Sequence, residues 1–444
     1  MSLQQLKFRG CVGLLTLMAA VTAFADTPQA SEPANDSESK QPVASDTSEA
    51  DASSDTSASG SISSPIVTPV TPPANFNQEV RPPSLPEDAK WDGIPPSKKA
   101  QPIRLSSSME RRRQRVQNAL KVYAAQRIST TKRSPWGLMH AMIPFGVDAR
   151  ILANGRDMNA VSWLCSNGNG RNLRLFYTRD EELRIRVGPG LQGHEGQFLA
   201  MMAQSRVSSK MPLSVEDQKF TVQDLIDYEK STCKDGTELT FKLIGLVHYL
   251  PCDATWETAD GETFDFPRLI REELKQSIVG AACGGTHRLM GYSYAVRQRR
   301  ERGGAMTGEW KRAEETVNRY LVQSQRLRNR DGSYSTDWYK ARGMDRDLDR
   351  RVQTTGHILE WVVFSSPQRR LYDADITGSV DYLTSLLVRR QREELEVGPR
   401  GHAIRALALY NDRVFVDPPA TFAGSQNVAQ KQGDDRKIGD RDLR

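Results

Sequence analysis

Cysteine, histidine and aromatic residues are scarce in this chain of 444 residues. There are five cysteines, six histidines and 7% aromatics. No two cysteines have the CxxC spacing, which excludes a zinc knuckle and a thioredoxin-like redox motif. No phosphate-binding loop is present: "NGNGR", residues 167–171, lacks the lysine and the strand–helix setting, and reads as a turn. After the first 25 residues no apolar run reaches the ~18 residues of a membrane helix. The basic runs "MERRRQRVQ" and "RQRRERGG" carry no interleaved aromatics, so they read as solvated helix faces and not as a specific nucleic-acid surface.

The ends of the chain differ from its middle. Lys7 and Arg9 precede an apolar run from Cys11 to Val21, and Ala23-Phe24-Ala25 gives a small-x-small cleavage pattern. Residues 1–25 therefore read as a secretory signal peptide, and the expected location is periplasmic or extracellular. Residues 26–95 are rich in Ser, Asp and Pro, with too few large apolar side chains to offset the entropy of ordering, so a disordered tether is expected. Residues 419–444 read the same way, which leaves 96–418 as the folded domain. The net charge of +6 conceals a division. Residues 26–65 hold eight acids and one lysine, a sum of −7; with +2 in the leader, the remainder stands at +11. That balance suits a glycan or another anionic ligand. Without the leader four cysteines remain, Cys165, Cys233, Cys252 and Cys283. After export they allow two disulfides in three connectivities, or they stay as buried thiols.

Within the domain two kinds of helical segment alternate. "MERRRQRVQNALKVYAAQ" sets Val116, Leu120 and Tyr123 at helical spacing against a charged face. "TVQDLIDYEKS", with Thr221 at its start, "FPRLIREELKQSI", "WKRAEETVNRYLVQSQ" and "DITGSVDYLTSLLVRRQREEL", started by Asp375, are of the same type. Between them lie segments apolar nearly all round, the mark of buried helices. Each of these holds a histidine: His140, His194, His248, His287, His357 and His402. Their mean separation, about 52 residues, is the length of a helix pair with its loops. The expected fold is all-α: an α/α toroid of five or six helix pairs, with an inner and an outer ring. One β-hairpin breaks the pattern in residues 172–190. Leu173, Leu175 and Tyr177 are expected to share a face with Leu183, Ile185 and Val187 around "TRDEE".

Residues 320–334, "YLVQSQRLRNRDGSY", resemble the glutamine/glycine/aromatic repeat of the squalene-cyclase and prenyltransferase-type toroids, with Tyr320, Leu321, Gln325, Gly332 and Tyr334 in the repeat's places. A partial copy lies at Asp235-Gly236. The resemblance implies an α/α toroid. It does not extend to the chemistry. The DxDD acid of triterpene cyclases is absent, and "YDADIT" has Asp373 and Asp375 without the adjacent pair. Nor is there a counterpart of the Asp/Cys/His zinc set of protein prenyltransferases, or of the ligand pair of lanthionine-cyclase-like toroids.

His194, His287, His357 and His402 each follow a glycine by one or two residues. If those glycines mark helix entries, the imidazoles gather at one mouth as neutral rings, suited to general-base work, hydrogen bonding or metal ligation. His140 and His248 depart from the pattern; His140 is retained as a cavity residue with these four. The opposing reading is that glycine permits close helix packing and each histidine bonds a neighbouring carbonyl. The acid candidates are Glu195, Glu360, Asp331 and Asp337. Glu195 adjoins His194, Glu360 shares a helical face with His357, and the two aspartates flank the "DGSYSTDW" turn. No motif implies a cofactor; zinc through the histidines is the alternative. The function expected is an exported toroid that binds a ligand or partner at a central cavity, enzyme or not. The alternatives are a glycan-active lyase or hydrolase, and an isoprenoid enzyme relative without the DxDD acid.

Overall fold

Helices that bury every side differ from helices that bury one stripe, and the chain alternates between them. The structure is a computed structural model, and it describes residues 105–415. The expected leader (1–25), tether (26–95) and tail (419–444) all lie outside the described residues. Those residues hold twelve α-helices and four small sheets. The amphipathic helices are α1 (Ser107–Ala125), α5 (Val222–Ser231), α7 (Phe266–Leu274), α9 (Gly308–Leu327) and α11 (Ala374–Arg389); the short α3 (Ala160–Cys165) falls in the same alternation but buries five of its six residues. The apolar ones are α2 (Pro135–Met142), α4 (Gln197–Gln204), α6 (Thr240–Tyr249), α8 (Thr286–Glu301), α10 (Leu348–Ser365) and α12 (Val397–Val414). All eight residues of α4 are buried, against three of nineteen in α1. Each large apolar side chain so buried contributes about 1.5–3 kcal/mol.

Packing follows that division. Among the apolar helices α4 lies on α6, α6 on α8, α8 on α10, α10 on α12 and α12 on α2. The segment entering α4 returns to α2, where the Trp136 N–H donates to the Gly190 carbonyl at 3.2 Å. The amphipathic helices lie alongside: α5 and α7 on α6, α9 on α8 and α10, α11 on α10 and α12, α1 on α12.

The strand content exceeds the single expected hairpin. β1 (Ile128–Ser129) pairs in parallel with β2 (Arg150–Ala153), which pairs with β3 (Arg156–Asn159). β4 (Phe176–Arg179) and β5 (Glu182–Ile185) form the hairpin read from sequence. β6 (Pro212–Val215) pairs with β7 (Gln218–Thr221), and β8 (Thr255–Glu257) with β9 (Thr263–Asp265). Three hairpins share one plan, in which the last residue of the second strand caps the next helix. The Asn159 side chain accepts from Ser162 N (2.9 Å) and the Asp265 side chain from Arg268 N (2.7 Å), while Thr221 forms a capping box with Asp224. The hairpin of β4 and β5 faces inward through Phe176, Leu183 and Ile185, with Leu173 and Val187 exposed. The expected face was one residue out on the first strand, where a shift of one reverses the side. α11 also starts earlier than expected: Asp373 is its N-cap, and Asp375 within the first turn accepts from Gln325 and Arg370.

Candidate functional site at the histidine cluster

Histidines far apart in sequence meet at one place. The rings of His357 and His402 are 3.9 Å apart, centroid to centroid. His287 lies 5.1 Å from His402 and 5.5 Å from His357. His140 lies 5.5 Å from His402. His194 joins through Phe241, whose ring is 5.0 Å from His194 and 5.2 Å from His287. His248 stays outside, near the end of α6 against Tyr249.

The glycine rule explains only part of this. Of the glycines that precede the histidines only Gly285 is a left-handed N-cap, that of α8; Gly193 lies ahead of α4, whose left-handed N-cap Gly196 follows His194, so both His194 and His287 stand at helix entries but only the second for the expected reason. Gly356 and Gly401 instead lie inside α10 and α12. Their role is helix approach: a Cβ on Gly401 would come within 2.5 Å of the His140 carbonyl oxygen, and one on Gly356 within 2.9 Å of the Ala403 backbone. Close packing and convergence therefore coexist, and the first produces the second.

The hydrogen bonds fix which nitrogen faces inward. His357 Nδ1 lies 2.7 Å from the Gln353 carbonyl oxygen and His140 Nδ1 2.8 Å from that of Trp136. Each carbonyl is an acceptor only, so each Nδ1 carries the proton and donates it. His402 Nδ1 meets Glu360 Oε2 at 2.6 Å, and His194 Nδ1 meets Glu238 Oε2 at 2.7 Å. Arg405 holds the other oxygen of Glu360, with Nε 2.9 Å from Oε1, while its Nη1 donates to the Ile143 carbonyl at 2.6 Å. Nε2 of His402 is buried without a partner. Burial first, then the mutual disfavour of charging adjacent imidazoles, with Arg350 beside His357 and Arg405 beside His402, holds His287, His357 and His402 well below the usual histidine value, so they are neutral at pH 7. Desolvation also pushes the Glu360 carboxyl up to about 7, against the pull of Arg405 and His287.

A cavity of about 20 Å³ is lined by Phe241, His287, Met290, His357, Glu360 and His402. One water needs roughly 10–15 Å³, so the space holds a water or an ion. A second cavity, about 430 Å³, lies between α1, α2 and α12, with His140 in its wall and Lys121, Arg150 and Arg400 among its lining.

Of the acid candidates only Glu360 reaches the cluster. Glu195 is exposed and pairs with Lys242 at 3.1 Å. Asp331 is exposed and holds its own turn, accepting from Ser333 N (2.9 Å) and pairing with Arg351. Asp337 is exposed at the surface of that loop. Asp331 and Asp337 are polar turn residues, drawn to backbone N–H groups and water. Sequence reasoning missed Cys283, Trp338, Arg405 and Glu238. None of Cys165, Cys233, Cys252 and Cys283 forms a disulfide. Cys165 and Cys233 are deep thiols pushed up to about 12 by burial, while Cys283 is only partly buried. Trp338 stands edge-on to His357, with ring centroids 5.7 Å apart. Compared with known proteins, the chain matches no family model, no curated protein and no solved structure.

Proposed function

We propose that the twelve helices close into an α/α toroid of six inner–outer pairs, and that the mouth of its inner ring is a binding centre for a small polar ligand, with Glu360 and His402 as its acid–base couple. Support for closure comes from the unbroken succession of apolar helix contacts from α4 through α12 to α2, and from the Trp136–Gly190 bond. The observation that carries the binding reading is the buried, unpartnered Nε2 of His402 beside two further neutral imidazoles. An orphaned buried nitrogen costs about 1–3 kcal/mol, and a group kept only for packing would have been satisfied or replaced. The basic N-terminal start and apolar run support export of the protein.

The small cavity favours an ion or a water over an isoprenoid chain or a buried sugar ring. An anionic ligand of larger size finds room and charge in the 430 Å³ cavity beside His140, with Lys121, Arg150 and Arg400. The test is His402→Met with a chelator present. This substitution removes the orphaned nitrogen together with the Nδ1 donor to Glu360 Oε2, and leaves Glu360 paired with Arg405 through Oε1. Stability measured in urea is expected to stay within about 1 kcal/mol of the parent, because relief of the orphaned nitrogen offsets the lost donor to Glu360. A loss above about 2 kcal/mol would mean that His402 is there for packing, and the reading would fail.

A further inference from the structure

The turn into α8 is built from three consecutive left-handed residues: Cys283 (φ 47°), Gly284 (φ 62°) and Gly285 (φ 76°). Glycine adopts this conformation freely; for another residue it costs about 1–2 kcal/mol. Cys283 is therefore strained, and the surroundings enforce the strain. A Cβ on Gly285 would meet the Ile278 carbonyl oxygen at 2.4 Å, and one on Gly284 would meet the Trp338 ring at 2.3 Å. Trp338 is itself left-handed, at φ 54°. Two non-glycine residues in this conformation thus flank the histidine cluster.

The strained turn brings one side chain to the cluster. Cys283 Sγ, a ring nitrogen of His287 and one of His357 lie within 4.8 Å of one another. Bond lengths of about 2.0–2.3 Å to a tetrahedral ion set donors roughly 3.3–3.8 Å apart. Side-chain adjustments of about 1 Å or slightly more bring the three into that range. Their orientation suits the role. His357 already donates through Nδ1 to the Gln353 carbonyl, so its Nε2 lone pair is the one on offer. His287 makes no hydrogen bond with any described residue. Independently, His402, only 6% exposed, lines the same cavity with its unpartnered Nε2, and its Nδ1 is held by a carboxylate in the arrangement that orients metal-site histidines.

We propose that Cys283, His287 and His357 hold a zinc-class divalent ion, with the fourth position opening onto the cavity beside Nε2 of His402. One thiolate with two imidazoles is a borderline-soft set; it selects zinc, or cobalt in its place, over calcium and magnesium, which require oxygen donors. Three protein ligands and an open position distinguish this centre from a closed structural site. The ion occupies the mouth already read as a functional centre, and the proposal rests on that reading.

The test uses the full chain, stripped with chelator and titrated with Zn²⁺ and with Co²⁺. About one equivalent of either is expected to bind, and the cobalt form is expected to show a thiolate-to-metal charge-transfer band. Cys283→Ser should abolish that band. His287→Asn and His357→Asn should each weaken binding by roughly 100-fold or more, beyond the 10–100-fold typical of an outer-shell change. His248→Asn, outside the cluster, should bind as the parent does. The parent's cobalt spectrum decides the matter even if a variant fails to fold. Absence of stoichiometric binding, or a cobalt complex without the thiolate band, overturns the proposal. Failure here with His402→Met still stable in chelator leaves a functional centre for a ligand other than a metal. Destabilisation of His402→Met defeats the underlying reading instead.

Discussion

Two buried carboxylates, Glu273 and Glu360, sit in similar surroundings and end differently. Both face an arginine on a neighbouring helix, Arg288 at 3.0 Å and Arg405 at 2.9 Å. Desolvation raises both. Glu273 accepts from Leu239 N at 2.6 Å, Thr240 Oγ1 at 2.5 Å and Arg288 Nε, and its own carbonyl accepts from Tyr292 Oη at 2.7 Å. Every branch of that network terminates on a partner. The Glu360 network runs through His402 and stops at a bare nitrogen facing a cavity. The first arrangement ties α7 to the starts of α6 and α8; the second joins α10 to α12 and ends at the cavity. Burial and charge are common to both, so neither identifies a site. What separates the two is how each network ends, on a partner in one and at an open nitrogen beside a cavity in the other.

The contrast can be broken most directly at Glu273. Glu273→Ala leaves Arg288 buried without its charge partner, and a loss of about 3–5 kcal/mol is expected from urea denaturation. A loss below about 1 kcal/mol would remove the distinction between the two carboxylates. His248 sharpens it from outside the cluster. Burial, with help from Arg206 and Arg302, lowers its pKa to about 3, whereas the unfolded chain protonates it near the ordinary value of 6.5. Between those values the unfolded state holds the extra proton. The stability His248 contributes above pH 6.5 is therefore lost as pH falls towards 3, at about 1.4 kcal/mol per unit. Comparing His248→Asn with the parent from pH 6 to pH 4 should show the parent's stability falling more steeply by that amount; parallel curves would refute the assignment. Gly401→Ala drives a methyl into the His140 carbonyl and should cost about 1–3 kcal/mol, read as a lower thermal midpoint. The smallest effect belongs to Asp265→Ala, which removes one cap of α7 far from either carboxylate and should cost about 1 kcal/mol.

How much of this was legible follows from which signals are periodic. The alternation of striped and fully apolar helices was, because burial on one side or all round dictates composition. A meeting of His287, His357 and His402 is one of the two readings the preceding glycines allow, but for a partly wrong reason: Gly356 and Gly401 serve helix crossing and not helix entry. In the sequence Cys283 reads as a disulfide half or a buried thiol, as the other three cysteines do. Its signal was the Cys-Gly-Gly run, whose backbone strain shows only once Ile278 and Trp338 surround it. Arg405 and Glu238 were invisible, since their partners lie 45 and 44 residues away along the chain. Two of the three missed hairpins had local marks, Asn154-Gly155 and Asp260-Gly261, short enough to pass for helix connections, while the third turns through Glu216-Asp217 without a glycine.

Those two hairpin turns matter beyond the fold. At Gly155 and at Gly261 nothing lies within 4 Å of where a side chain would begin, while the strands below are anchored by register and by the helix cap that follows. Added residues at either tip would extend into solvent without meeting a buried atom. A fluorophore, an affinity tag or a whole guest domain can be carried there, far along the chain from the strained cysteine turn, so the molecule can be immobilised or tracked with its histidine cluster left as it is.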